Sequence, residues 1–231
     1  MTAEKFTETI INAGELLSEL ESKEMLLKEL FNWNKIKGKL QARLINAAAN
    51  KERLENVPHR LFLDLAVVYY LKVSESEDYY GMIEVTNDYA NAWQQDETTL
   101  FEIAFENLKS NQDVSFQELR AVIRELGVQM DDIPDEPKVY VLSNKKRISG
   151  AIVMVNNDFL KVISVLVGGD FIILPSSIHE LLILKEPETC DFSMYSSMVH
   201  DANQFCVRPE EVLSDHVYLY DCQEGKVKIV A

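Results

Sequence analysis

Apolar residues recur at Phe6, Ile10, Ala13, Leu17, Leu20, Leu27 and Phe31, in steps alternating between four and three, with Glu24 where another falls due. That spacing predicts an amphipathic helix over residues 3–31. Leu16, Leu26 and Leu30 widen the stripe beyond a strict coiled-coil seam. A stripe of this width has to be buried on the chain's next helix or on another subunit. Phe6, Ile10, Leu17, Leu20, Leu27 and Phe31 are therefore the candidate interaction residues. Asn32-Trp33-Asn34 marks a break, and Ile36, Leu40 and Leu44, spaced four apart, predict a second helix over 35–49. Together they predict an N-terminal helical hairpin.

The pattern changes at Val57-Pro58-His59, because the residue before a proline is driven towards extended geometry. The division expected there is a helical region, 1–56, and an α+β domain, 57–231, which can also form one continuous unit. Residues 62–73 are a nearly unbroken run of apolar, β-branched and aromatic side chains, the mark of a strand covered on both faces. A second strand over 80–86 follows, antiparallel to it. Asp96 is placed to cap a helix over about 97–109, and Ser115-Phe116-Gln117-Glu118 fits a capping box opening another. Residues 128–137 carry two prolines and four acids and read as a surface linker. Beyond them, hairpins dominate. Strands are expected at 138–143 and 149–155, a helix at about 158–167 ending at Gly168-Gly169, and strands at 170–174 and 178–185 around Pro175-Ser176-Ser177. A helix over 191–205, presenting Met194, Met198, Ala202 and Phe205, precedes strands at 216–220 and 226–230. Hairpins interleaved with helices predict an α+β fold with a mainly antiparallel sheet.

Charge narrows the partners. The 231 residues carry 38 acidic against 23 basic side chains, and 17 of those acids lie in residues 61–137 against 4 bases. Such a surface repels phosphate backbones, so nucleic acid is disfavoured. Lys35, Lys39 and Arg43, four apart, are the exception; they form either a solvated helix face or a local anion or partner contact. No apolar run has the length of a membrane span, and the first residues lack the layout of a secretory signal, so a cytoplasmic protein is expected. Cys190, Cys206 and Cys222 fit reduced thiols, with Cys206 expected to be buried.

Candidate chemistry is sparse. Ser176, Ser177, His179 and Glu180 put hydroxyls, an imidazole and a carboxylate in one short stretch, the raw material of a serine nucleophile with its base. Neighbours on a strand point to opposite faces, however, and a hairpin turn whose hydroxyls bond local amides accounts for the same residues. His179, His200 and His216 each adjoin a carboxylate and are the candidate metal ligands, although their spacing matches no metal signature. The sequence identifies no cofactor and leaves open whether the protein is an enzyme.

Four stretches carry a resemblance: Val57-Pro58-His59-Arg60-Leu61-Phe62-Leu63-Asp64-Leu65-Ala66-Val67-Val68-Tyr69-Tyr70, Val139 to Asn144, Ile173 to Glu180, and Glu210 to Tyr218. In that order they resemble an uncharacterised domain family of Gram-positive bacteria, over roughly residues 34–231. The resemblance implies no activity, cofactor or catalytic residue. Two readings remain: a non-enzymatic interaction or regulatory protein that binds a protein partner or itself through residues 6–31, and a hydrolase or metal-assisted enzyme centred on the 176–180 turn.

Overall fold

A computed structural model describes residues 29–75, 80–110, 114–125, 127, 137–187 and 191–231. Of the N-terminal stripe Leu30 and Phe31 fall within them; Phe6, Ile10, Leu17, Leu20 and Leu27 lie outside, as do Cys190 and most of the expected linker. The fold is α+β, with antiparallel pairing throughout the described sheets.

A short helix, α1 (Trp33–Ile36), and one 3-10 turn lead into β1 (Leu40–Asn46). The helix expected over 35–49 is thus replaced by a strand, and Lys35, Lys39 and Arg43 share no helix face. Pairing of β1 with β3 (Leu65–Glu75) runs from Leu40 opposite Leu71 to Asn46 opposite Leu65. A spacing of four fits either state, since it is one helical turn and also two strand periods. Seven residues of ladder on a buried neighbour decide the matter. After α2 (Lys51–Leu54), β2 (His59–Phe62) pairs with the first part of β3, and β4 (Tyr80–Glu84) with the rest. These four strands make the first sheet.

Two helices follow, α3 (Asn87–Trp93) and α4 (Glu97–Ser110). Asp96 caps α4 as expected, accepting the Thr99 amide at 2.8 Å. Ser115 to Glu118 does not open a helix: it belongs to β5 (Val114–Glu118), paired with β6 (Val139–Asn144), and α5 (Leu119–Glu125) begins only after it. The strand expected at 149–155 is instead a 3-10 helix, Gly150–Val155, almost wholly buried. α6 (Asn157–Val167) has Asn156 as N-cap and ends at Gly168, whose φ of 87° suits glycine. β7 (Phe171–Ser177) and β8 (Glu180–Lys185) turn at Ile178-His179, so Pro175, Ser176 and Ser177 are strand residues beside a bulge. α7 (Phe192–Phe205) precedes a 3-10 turn at Pro209–Glu211 and the hairpin β9 (Tyr218–Asp221) and β10 (Lys226–Ile229). The second sheet has the order β10-β9-β7-β8-β6-β5.

One apolar core joins the two sheets. Leu40, Leu44, Leu65, Val67 and Tyr69 of the first sheet meet Leu142, Ile173, Leu181, Ile183 and Tyr218 of the second, with α4, α6 and the 3-10 helix packed among them. Smaller clusters cover the outer faces: Ile45, Leu54, Val57 and Val68 on the first sheet, Ile172, Leu184, Val199 and Val217 on the second. α7 packs through Phe192, Tyr195 and Val199, and the residues it presents to solvent include Met194, Met198 and Phe205. Cys206 is likewise exposed, not buried.

Candidate functional site

The β7–β8 turn places the candidate residues at the junction of three segments. Ser177 Oγ accepts the His179 amide at 3.0 Å, and Ser176 Oγ donates to Glu180 Oε1 at 3.3 Å. Both hydroxyls are therefore used within the turn. The His179 ring is engaged elsewhere. Its Nδ1 accepts the Ser149 backbone N–H at 3.0 Å, which puts the proton of the neutral ring on Nε2, 3.4 Å from Glu211 Oε1. The carboxylate facing the ring comes from the Pro209–Glu211 turn, where the Ile178 amide also donates to the Glu211 carbonyl at 2.9 Å.

Ser149 occupies the left-handed region, with φ 57°, and its Oγ accepts from Arg43 Nε at 2.7 Å. The Arg43 guanidinium lies 4.4 Å above the Tyr70 ring and forms no ion pair with a carboxylate among the described residues. Gly150 sits so close to its neighbours that an added Cβ would lie 2.6 Å from the His179 carbonyl oxygen and 2.7 Å from the Asn144 nitrogen. Only glycine fits there. Ser143 Oγ completes the junction, donating to the His179 carbonyl at 2.7 Å.

A cavity of about 50 Å³ opens beside this network, lined by Leu40, Ala42, Asn107, Asn144, Ser149 and Ile152 among others. That volume holds a few waters. Its amides are committed to backbone: Asn107 Nδ2 donates to the Lys37 and Leu40 carbonyls, and Asn144 Nδ2 to the Ile148 carbonyl. A serine relay needs the imidazole to take the hydroxyl proton. Here the imidazole faces the Ser149 amide, and the hydroxyl faces Arg43. The arrangement clamps three segments together.

A second polar junction ties the sheets. Asp64, in the turn between β2 and β3, accepts from Ser214 Oγ at 2.7 Å and from the Tyr218 hydroxyl at 2.8 Å. Burial pushes the Tyr218 phenol well above its ordinary pKa, so it stays a neutral donor. Asn46 Nδ2 adds a bond to the Leu213 carbonyl at 3.1 Å.

The remaining histidines stand apart from both junctions. His200 Nδ1 is 4.0 Å from Asp215 Oδ1 on an exposed surface, His216 Nδ1 is 3.1 Å from the Ala231 carbonyl oxygen, and His59 Nδ1 is 3.0 Å from the Val57 carbonyl oxygen. No group of three or more His, Cys, Asp or Glu side chains placed to hold a metal occurs among the described residues. Nor is any described helix long and apolar enough to cross a membrane. As members of this junction, Arg43, Ser149, Gly150 and Glu211 escaped sequence reasoning. The Ser149-Gly150 pair is a turn signal that could have marked the loop. Arg43 stood out only as part of a basic row, and nothing local ties it or Glu211 to His179.

The two junctions draw on the stretches that carry the family resemblance: Asp64 from the first, Ser143 from the second, His179 from the third, Glu211, Ser214 and Tyr218 from the fourth. The chain belongs to DUF5688, a family of unknown function. The DUF5688 match runs over residues 1–222, so it includes the N-terminal stripe, the first sheet and every strand of the second except β10. Neither a search of curated proteins nor one of solved structures found a match.

Proposed function

We propose that this DUF5688 chain is a non-enzymatic interaction or regulatory module that binds a protein partner or a second copy of itself through apolar helix faces. The observation that carries this reading is the outer face of α6, where Val162, Val165 and Leu166 are exposed together. Contiguous apolar patches on a surface mark contact sites more often than isolated residues do. The apolar spacing of Phe6, Ile10, Leu17, Leu20, Leu27 and Phe31 along the sequence supports the same reading. Phe31 is exposed, with its ring centroid 6.0 Å from that of Tyr89. The methionines of α7, Met194 and Met198, add an adaptable second surface.

Sedimentation velocity and thermal melting of the full chain test the reading, with Leu17→Glu/Leu20→Glu and Val165→Asp as variants. A changed mass, or a changed melting temperature, supports it. Identical mass, melting and partner recovery in all variants overturns it.

A hydrolase or metal-assisted enzyme centred on Ser176, Ser177, His179 and Glu180 is the second reading. In its favour, Ser149, His179 and Glu211 meet beside a cavity. Incubation with a fluorophosphonate followed by mass spectrometry separates the two. A covalent adduct at Ser149, Ser176 or Ser177 would install the hydrolase reading, and an unmodified chain would remove its serine form. A zinc titration followed by native mass spectrometry does the same for the metal form, with His179→Ala, His200→Ala and His216→Ala as controls.

A further inference from the structure

The bases around the start of β1 share no helix face, but the fold gives them company. The cavity of about 50 Å³ beside Ser149 is walled by Leu40, Gln41 and Ala42 of β1 on one side and by Asn144, Lys146 and Ser149 on the other. Lys37 and Lys39 come just before the first wall in the chain, and Lys145 belongs to the second. All three are exposed and form no ion pair among the described residues. No carboxylate lines the cavity among those residues either. In a chain with 38 acidic against 23 basic side chains, that makes a local island of positive potential.

β1 brings unspent backbone to this cavity. Tyr69, the partner of Ala42 on β3, turns its carbonyl to the Val85 amide at 2.9 Å, away from β1. The two therefore form a non-hydrogen-bonded pair of the antiparallel ladder, and Ala42 directs its own N–H and C=O to the open edge of β1. On that edge the Leu40 carbonyl meets Asn107 Nδ2 at 2.9 Å, whereas the Ala42 groups meet no partner among the described residues. Asn107 spends both Nδ2 hydrogens on the Lys37 and Leu40 carbonyls, which leaves its Oδ1 to accept.

The opposite wall is held in one shape. Asn144 Oδ1 accepts the Lys146 and Ile148 amides, both at 3.1 Å, and its Nδ2 donates to the Ile148 carbonyl. Arg147 and Ser149 both lie in the left-handed region, with φ 53° and 57°. Two such residues in one short loop are costly without glycine, and strain of this kind gathers where a chain clasps a ligand. The loop thus holds Lys146 at the cavity wall ahead of any ligand.

We infer that this cavity binds a small α-hydroxy carboxylate. Its carboxylate accepts the Ala42 N–H and the Lys146 ammonium, and its hydroxyl donates to the Ala42 carbonyl or to Asn107 Oδ1. One N–H beside one C=O on a strand edge suits a planar acid with a donor next to it, whereas a phosphate calls for a cluster of amides. Space for a few waters admits about five non-hydrogen atoms, the size of glycolate. The inference needs no apolar face and goes beyond the interaction reading.

Titration of the isotope-labelled full chain with glycolate, followed by amide NMR, tests it. The expected result is saturable shifts at the Ala42 amide and the Asn107 side-chain amide. Acetate, which lacks the hydroxyl, should bind about five-fold more weakly for the loss of one hydrogen bond. Inorganic phosphate should bind more weakly still, and ethylene glycol should shift nothing. Lys146→Glu, at an exposed position, should weaken glycolate about ten-fold or more. Lys145→Glu, beside it but off the wall, should cost only about two-fold. Shifts that never saturate, or that fall equally on amides away from the cavity, overturn the inference. Phosphate bound as tightly as glycolate overturns it too, as does equal weakening by the two lysine variants.

Discussion

α4 and α6 are neighbours joined by the Lys109–Asp158 pair, and they treat solvent in opposite ways. α4 buries Leu100, Ala104 and Phe105, and the residues it exposes are Thr98, Glu102, Glu106, Lys109 and Ser110, all polar. α6 buries Leu160 and Ile163 but exposes Val162, Val165 and Leu166 beside Asn157, Asp158 and Lys161. Its inner face is as complete as that of α4. The difference lies wholly on the outside, where propensity and core packing impose nothing. α4 is finished by the fold around it, whereas among the described residues α6 leaves an apolar outer face open.

The largest effects should be shared by the two inner faces. Leu100→Ala and Leu160→Ala remove side chains that are almost wholly buried, and each should cost about 2–5 kcal/mol in urea unfolding. A much smaller cost at Leu160 would break the equivalence and mark the α6 packing as loose. The caps come next. Asn156 accepts the Asp158 and Phe159 amides from a buried position, so Asn156→Ala should lower stability by about 1–2 kcal/mol, and more than Asp96→Ala at the exposed cap of α4.

The outer faces provide the sharper contrast. Glu106→Gln on α4 should change stability by less than about 0.5 kcal/mol. Leu166→Asn on α6 should cost about 1–2 kcal/mol if the face is covered, because burial of an aliphatic side chain contributes on that order. Equal, negligible effects at both sites would show α6 as open to solvent as α4.

The smallest effect is a pH dependence at the start of the two helices. The Thr99 amide holds the Asp96 carboxyl below its usual 3.8, and Lys109 does the same for Asp158. Carboxyls with depressed folded pKa values stabilise the fold fully above their usual value and lose that contribution as pH falls through the folded one. Melting should therefore weaken slightly below about pH 4, with Asp96→Asn and Asp158→Asn flattening that limb. The Asp158 part should fade in high salt, being an exposed pair.

Much of the fold is legible along the chain where periodicity and end signals agree. α6, with its apolar run and terminal glycines, and α7, with Asp191 accepting the Ser193 amide, lie within a residue of expectation. β1 does not, because Ile36, Leu40 and Leu44 satisfy both periods, and pairing with β3 selects the strand. Residues 115–118 carry a capping box that the β6 ladder overrides. The 149–155 run reads as a strand, yet the left-handed Ser149 and the close approach of Gly150 to His179 turn it into a 3-10 helix. At the candidate site, His179 is visible in sequence, but Arg43 and Glu211 enter from other segments.

Local pattern along the chain was enough to establish the α+β class, most hairpins and the caps, because these depend on residues within about a dozen positions of each other. Which residues meet was settled by the folded chain. Ser149 lies 106 residues from Arg43, and Tyr218 lies 154 residues from Asp64. A local pattern carries no record of pairing over that distance, since the energy that selects it comes from desolvating both partners together in the folded chain. The outward face of α6 belongs to both accounts: its apolarity is written in the sequence, and its exposure is seen only in the fold.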